Sequence, residues 1–287
     1  MNDRACKTPR RIGRALAGAL LLGRLAAVPA EGAGGTTPWR QADAGIEVAV
    51  FASPQKSIVG DSNITVVRID PNLCQFRLLC ATEHGNARWT AKEWCMKHRL
   101  VCAVNAGMFQ RDGLTHVGYM RNFAHVNNPT EGRDQAYLVF NRTDDSLPAI
   151  QIIDAAYQDF AALRDKYNTV VQGMRVISAR QENVWQPQPK RWSMTVLGMD
   201  RAGRALFIFT RSPYSVQEFA AILLGLPLEL YNAMYLEGGP PASLYLAAAH
   251  ARLDLFGSYE TGVNENDDNV TAWRIPAVIG AAPRAKE

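Results

Sequence analysis

The chain has 287 residues, of which 47% are hydrophobic and 20% charged, and this balance excludes a disordered or low-complexity protein. Its formal charge of +4 misleads, because residues 1–30 hold six basic side chains and one acid while the rest carries 25 basic and 26 acidic groups. The basic excess belongs to the N-terminus, so no nucleic-acid partner is expected, and nothing beyond it reaches the ~18 apolar residues of a spanning helix, so no membrane insertion of the mature chain is expected.

Residues 1–30 read as a signal peptide: a basic stretch over 4–11, an Ala-, Leu- and Gly-rich stretch over 12–30, and Val28-Pro-Ala30 ending on a small residue. A periplasmic or secreted protein is the expectation. Residues 31–59 read as linker and first strand, and 60–282 as the principal domain. Strands are predicted over 46–51, 64–69 and 75–81. Thr90 and Glu93 form a capping box that starts a helix ending near Arg99. A buried strand over 100–104 follows, then a polar loop from Asn105 to about Gly132. Strands over 136–140 and 149–153 lead to Asp154, expected to cap a helix that carries Ala156, Phe160, Leu163 and Tyr167 at helical spacing. One strand over 169–178, strands over 192–199 and 205–210, and a helix opened by the Ser215/Glu218 capping box complete the pattern. Strands and helices without regular alternation predict an α+β fold: a single domain with a large mixed β-sheet and a few packed helices.

After the leader four cysteines remain, Cys74, Cys80, Cys95 and Cys102. An even count allows up to two disulfides in three pairings, whereas Cys80 and Cys102 in apolar runs read equally as buried thiols. No Cys-x-x-Cys pair suggests a zinc site. Asn63, Asn141 and Asn269 open glycosylation sequons.

The richest segment runs from Tyr231 to Tyr245. Alternation puts Ala233, Tyr235 and Glu237 on one strand face and Met234 and Leu236 on the other. Glu237 then ends the strand beside Gly238 and Gly239, which free the backbone to turn and leave an open wall for a ligand. A carboxylate so placed can act as acid, base or nucleophile, although a solvated Glu before a turn has the same pattern. Asn105 ends a buried strand beside Gly107, where its amide faces a cavity or caps a turn. His116, Arg121, Asn122, His125, Asn127 and Asn128 crowd one loop that suits an anion or sugar hydroxyls. Arg175, Arg191 and Arg211 lie in or beside strands, where a planar guanidinium fits a phosphate or an ordinary salt bridge. The acidic run 260–268 resembles a calcium-binding cluster but lacks the ligand order of a calcium loop; calcium stays open, and no other metal or cofactor is expected. Nucleophile-elbow, P-loop and dinucleotide motifs are absent.

Val104-Asn-Ala-Gly-Met-Phe, Gly118, Gln172-Gly, Arg191 before Val196-Leu-Gly-Met-Asp200, Leu236-Glu-Gly-Gly and Ile275-Pro-Ala-Val-Ile-Gly280 occur in this order. Together they resemble the phosphodiester glycosidase domain family over residues 60–282. Val117-Gly-Tyr-Met and Arg211-Ser-Pro-Tyr-Ser are similar to a bacterial, exported branch of it. One departure is Glu237, where the family usually has Asp. The resemblance implies a hydrolase that cleaves the glycosidic bond of a sugar-phosphodiester. Glu237 would be base or nucleophile, and His125 a general acid or phosphate contact. Arg175, Arg191 and Arg211 would serve the phosphate, and Asn105, Gly107, Gly238, Gly239 and Ser243 would shape the sugar pocket. The alternative is a non-catalytic glycan- or exopolysaccharide-binding protein, which would need no essential carboxylate.

Overall fold

Alternating apolar and polar residues between short turns produce a chain dominated by strands. The computed structural model describes residues 38–284; the signal peptide read at 1–30 lies outside the described residues. In chain order come β1 (Arg40–Asp43), β2 (Ile46–Ala52), β3 (Asn63–Ile69), β4 (Cys74–Cys80), α1 (Ala91–His98), β5 (Cys102–Asn105), β6 (Met120–Asn122) and β7 (His125–Asn128). Then follow β8 (Ala136–Arg142), β9 (Ile150–Asp154), α2 (Phe160–Leu163), β10 (Tyr167–Gly173), β11 (Arg175–Ile177), β12 (Trp192–Asp200) and β13 (Ala205–Tyr214). The last elements are α3 (Val216–Gly225), β14 (Leu230–Gly238), β15 (Ser243–Ala247), β16 (Arg252–Phe256) and β17 (Ala277–Pro283).

The α+β expectation is met in kind, but the single large mixed sheet is not. Three sheets form instead, ordered β1-β2-β3-β13-β12-β14-β11, β7-β6-β10-β8-β9 and β16-β15-β5-β17-β4, and their strand pairs are antiparallel. The physical reason repeats in each sheet. Helix α1 links β4 to β5, α2 links β9 to β10, and α3 links β13 to β14. In each case a third strand (β17, β8 and β12) lies between the linked pair and runs antiparallel to both. The strand-helix-strand units are thus split, and the parallel contacts they would have made are replaced by antiparallel ladders.

One face of every sheet meets a common core that includes Val67, Phe207 and Leu236 from the first sheet, Leu138 and Val171 from the second, and Leu78, Val104 and Ile279 from the third. Each outer face is covered by its own helix. Phe219, Ala220 and Leu223 of α3 pack on Val196, Ile208 and Tyr235; Trp94 and Cys95 of α1 on Leu79, Ala103 and Val278; Phe160 of α2 on Tyr137 and Val139. Strands buried on both faces read as continuous apolar runs.

Both capping boxes form as expected, at Thr90 with Glu93 and at Ser215 with Glu218, and Arg99 ends α1 in the left-handed region. The helix expected from Asp154 does not form: Asp154 ends β9, and only a helical turn capped by Asp159 and a 3-10 turn over Arg164–Lys166 follow. Its apolar spacing is real, but Phe160 and Tyr167 reach the same cluster from a turn and from β10. The strand expected over 169–178 breaks at Met174 and crosses from the second sheet to the first. The loop expected to reach Gly132 contains β6 and β7. Cys74, Cys80, Cys95 and Cys102 are all buried free thiols, so neither disulfide forms. Burial pushes each thiol up, Cys74 to about 11, which makes them poor nucleophiles.

Candidate active site

Strand β14 builds the site. Ala233 and Tyr235 pack on the α3 side and Met234 and Leu236 in the central core, as their alternation requires. Opposite it, Thr195 of β12 pairs with Glu237 and Val196 with Tyr235, which leaves Leu236 as a bulge. A bulge re-aims the residue that follows it. Glu237 is 7% exposed, and its Oε1 accepts from the Gly238 N–H at 3.0 Å. Burial pushes its carboxyl up to about 8; the Gly238 N–H pulls it down and Glu260 adds a smaller upward push. Among the described residues no lysine or arginine pairs with it.

The two glycines beside it hold protein groups rather than an open wall. A Cβ on Gly238 would collide with the Tyr235 hydroxyl, and one on Gly239 with the Glu260 carboxylate. Gly239 also has φ +70°, which disfavours a side chain by itself. Tyr235 and Glu260 thereby close onto the strand end next to Glu237. The Tyr235 phenol is raised well above its ordinary value by burial, then by Glu237 and Glu260. Glu260 is raised by burial, against the opposing pull of the Trp192 indole and Lys190. It is held in place by a bridge to Trp192, and its N–H donates to Asn264 O at 2.8 Å. A buried carboxylate, a half-buried one and a buried phenol thus share one strand end. Sequence reasoning missed Glu260 as a site residue: it appears there only as the first acid of the run 260–268.

Asn105, Ser243 and the glycines converge on Glu237, through bonds that fix the backbone. The Asn105 amide donates to Pro241 O at 2.8 Å, and its Oδ1 accepts from the Ser243 N–H at 2.6 Å. Thr195 Oγ1 lies 3.5 Å from Asn105 Oδ1 and 3.3 Å from Glu237 O. The Ser243 hydroxyl donates to Pro241 O at 3.0 Å. These bonds hold the turn after Glu237 to the third sheet. Gly107, at φ +132°, lies against the His116 ring. His116 is 4% exposed, its Nδ1 is 2.9 Å from Gly118 O, and burial lowers its pKa while the Gly118 carbonyl opposes that. Gly107, His116, Asp134, Gln172 and Tyr235 line a small cleft of about 10 Å³, room for about one water. Burial raises Asp134 as well. The histidine at this cleft is His116, not His125.

Four expected site residues have other partners. His125 Nε2 is 2.8 Å from Thr82 Oγ1, and His125 is not among the residues lining the cleft. Arg175 pairs with Asp154 at 3.1 Å, a carboxylate 2% exposed that also accepts from the Ala179 N–H. Arg191 pairs with Glu218 of the α3 cap at 2.6 Å, although its backbone joins Thr261 beside Glu260. Arg211 binds Asp267 at 2.5 Å and donates to the carbonyls of Phe256, Asp267 and Asn269, stapling the acidic segment to β16. Each guanidinium takes the salt-bridge alternative.

The fold and site define a three-sheet antiparallel domain with a paired-carboxylate centre at the end of a buried strand. The phosphodiester glycosidase family model matches residues 98–282, and the chain belongs to that family. Two solved structures share the fold. One is the catalytic domain of zebrafish N-acetylglucosamine-1-phosphodiester α-N-acetylglucosaminidase, auto-inhibited by its pro-peptide: 16% identity, TM-score 0.56, 87% of this chain and 90% of that one covered. The other is a hypothetical protein from Synechocystis: 17% identity, TM-score 0.54, 84% of this chain and 62% of that one covered. No curated protein matches the chain.

Proposed function

We propose that the protein is an exported hydrolase that cleaves the glycosidic bond of a sugar-phosphodiester at Glu237 and Glu260. Family membership supplies the substrate class. The observation that carries the site is the pair of unpaired, partly desolvated carboxylates at the end of β14, both with raised pKa values. Export rests on the leader over 1–30.

The environment favours an acid role for Glu237 over the base or nucleophile role read from sequence, because a carboxyl held near 8 keeps its proton at neutral pH. Glu237 donates that proton to the oxygen joining the sugar carbon to phosphorus as the carbon–oxygen bond breaks. The sugar develops oxocarbenium character. Water attacks that carbon and passes a proton to the Glu260 carboxylate, which gives a free sugar and a phosphate monoester. The two glutamates then return their protons to the starting arrangement through solvent.

Activity therefore needs Glu237 protonated and Glu260 ionised. The pH profile of kcat/KM, which reports the free enzyme, is expected to be bell-shaped, with its alkaline limb near 8. Glu237→Gln keeps the size but carries no transferable proton, and turnover of a sugar-phosphodiester should fall at least ~10²-fold. Near-normal turnover by this variant would sink the assignment. A wild-type protein that binds such ligands without turning them over would instead support the glycan-binding alternative.

A further inference from the structure

We propose that the protein holds a second ligand site between the second and third sheets, and that this site takes a small hydroxylated oxyanion: a sugar bearing one phosphate or carboxylate. A cavity of about 380 Å³ opens where the end of β8 faces the start of β4, within the size range of small-molecule sites. None of its lining residues is shared with the cleft at Gly107.

Two guanidinium groups line it, one from each sheet. Arg284, just past β17, donates from Nη2 to Pro71 O at 3.2 Å, and its backbone N–H donates to Leu73 O at 2.8 Å. These bonds hold the residue in place but leave its charge without a counter-ion, because no carboxylate pairs with Arg284 among the described residues. Arg142, at the end of β8, is held by the Leu147 carbonyl and by Asp145 at 3.0 Å. The Asp145 side chain is 99% exposed, so water and salt screen that pair. Two cations against one exposed carboxylate leave the cavity with a positive excess. A guanidinium presents a planar fork that suits the oxygens of a phosphate or a carboxylate.

The other polar groups call for hydroxyls. The side-chain amides of Asn72 and Gln75 are exposed and make no hydrogen bond among the described residues. Asn141 donates from Nδ2 to Thr169 Oγ1 at 2.8 Å and keeps its carbonyl. None of these unused atoms is shut away from solvent, so they are open to a ligand. Amides that both donate and accept match sugar hydroxyls, which do the same. Phe76 and Phe140, with ring centroids 6.2 Å apart, add an apolar floor for the nonpolar side of a ring.

The inference stands apart from the hydrolase reading, and its test is read at this cavity alone. The Nε–Hε signal of Arg284 and the backbone amide signals of Asn72 and Asn141 are followed by 1H–15N NMR in the full chain. Glucose 6-phosphate, glucuronate, inorganic phosphate and glucose are each added to roughly 10 mM, where a site of ~1 mM dissociation constant is mostly filled. Glucose 6-phosphate or glucuronate is expected to shift these signals, and the one that binds more tightly identifies the anion as phosphate or carboxylate. Arg284→Gln, on an exposed side chain, should weaken that binding by at least about tenfold, read at the Asn72 and Asn141 amides, and Arg284→Lys should restore part of it. If neither sugar anion moves the signals, the proposal falls. Equal shifts from glucose overturn the anion class, and inorganic phosphate that binds as tightly as glucose 6-phosphate marks an adventitious ion only. Binding that persists unchanged in Arg284→Gln overturns the assignment of the site.

Discussion

The arginines and the glutamates expected to form one site have opposite fates. Arg175, Arg191 and Arg211 each find a carboxylate at 2.5–3.1 Å. Glu237 and Glu260 form no salt bridge among the described residues, Lys190 acting on Glu260 only from a distance, and both are pushed toward their neutral forms. A charge that has a partner in the fold organises the fold; a buried acid without one is destabilising until it is protonated or used. The difference is what favours the end of β14, rather than the arginines, in the proposed mechanism.

The strongest way to break that contrast is Arg175→Ala. Removing the guanidinium strands Asp154, 2% exposed, with only backbone donors. Loss of one partner from a buried pair costs about 3 kcal/mol, to be read in urea unfolding. Catalytic rate per folded molecule should be unchanged. A loss under ~1 kcal/mol, or a rate that falls with stability intact, would return Arg175 to the substrate and erase the contrast.

What the sequence revealed follows the range over which each interaction acts. Alternation along β14 and both capping boxes depend on residues within a few positions of one another, and they form as read. The arginine partners lie 21, 27 and 56 residues away for Arg175, Arg191 and Arg211, and no local pattern announces them. Glu260 packs on Gly239 and the Tyr235 hydroxyl on Gly238, so the space the Gly-Gly pair offered is filled by side chains from the chain itself, which local pattern could not reveal. The Asp154 helix failed for the converse reason. Helical spacing was present, but Phe160 and Leu163 serve a sheet face from one helical turn, Tyr167 from β10, and Ala156 stays exposed.

A smaller effect sharpens the contrast through pH. The folded-state carboxyl of Glu237 is raised from 4.5 to about 8. Below about pH 4.5 both folded and unfolded forms are protonated and Glu237 costs nothing. As pH rises toward 8 the unfolded chain releases this proton while the folded chain keeps it, so stability falls through that window and the penalty levels off above it. Glu237→Gln has no proton to lose. It should therefore be more stable than wild type by a margin that widens by at least ~1 kcal/mol between about pH 5 and pH 8. Thermal or urea unfolding at the two pH values measures this. A constant margin would mean that Glu237 titrates normally, and the acid role would lose its basis.

The smallest expected effect separates the two causes of that shift. Burial is the larger one and Glu260 the smaller. Glu260→Gln removes the like charge and keeps a side chain of the same size against Gly239. Carboxyl 13C NMR should then show Glu237 titrating lower by less than about one unit, equivalent to under ~1.4 kcal/mol, and still well above the ordinary carboxylate range. A fall into the ordinary range would mean that mutual repulsion, not desolvation, keeps Glu237 protonated, as in a strongly coupled dyad. No movement at all would mean that solvent screens the two groups from each other. Glu260 would then be a packing partner of Gly239, and Glu237 would have to work alone.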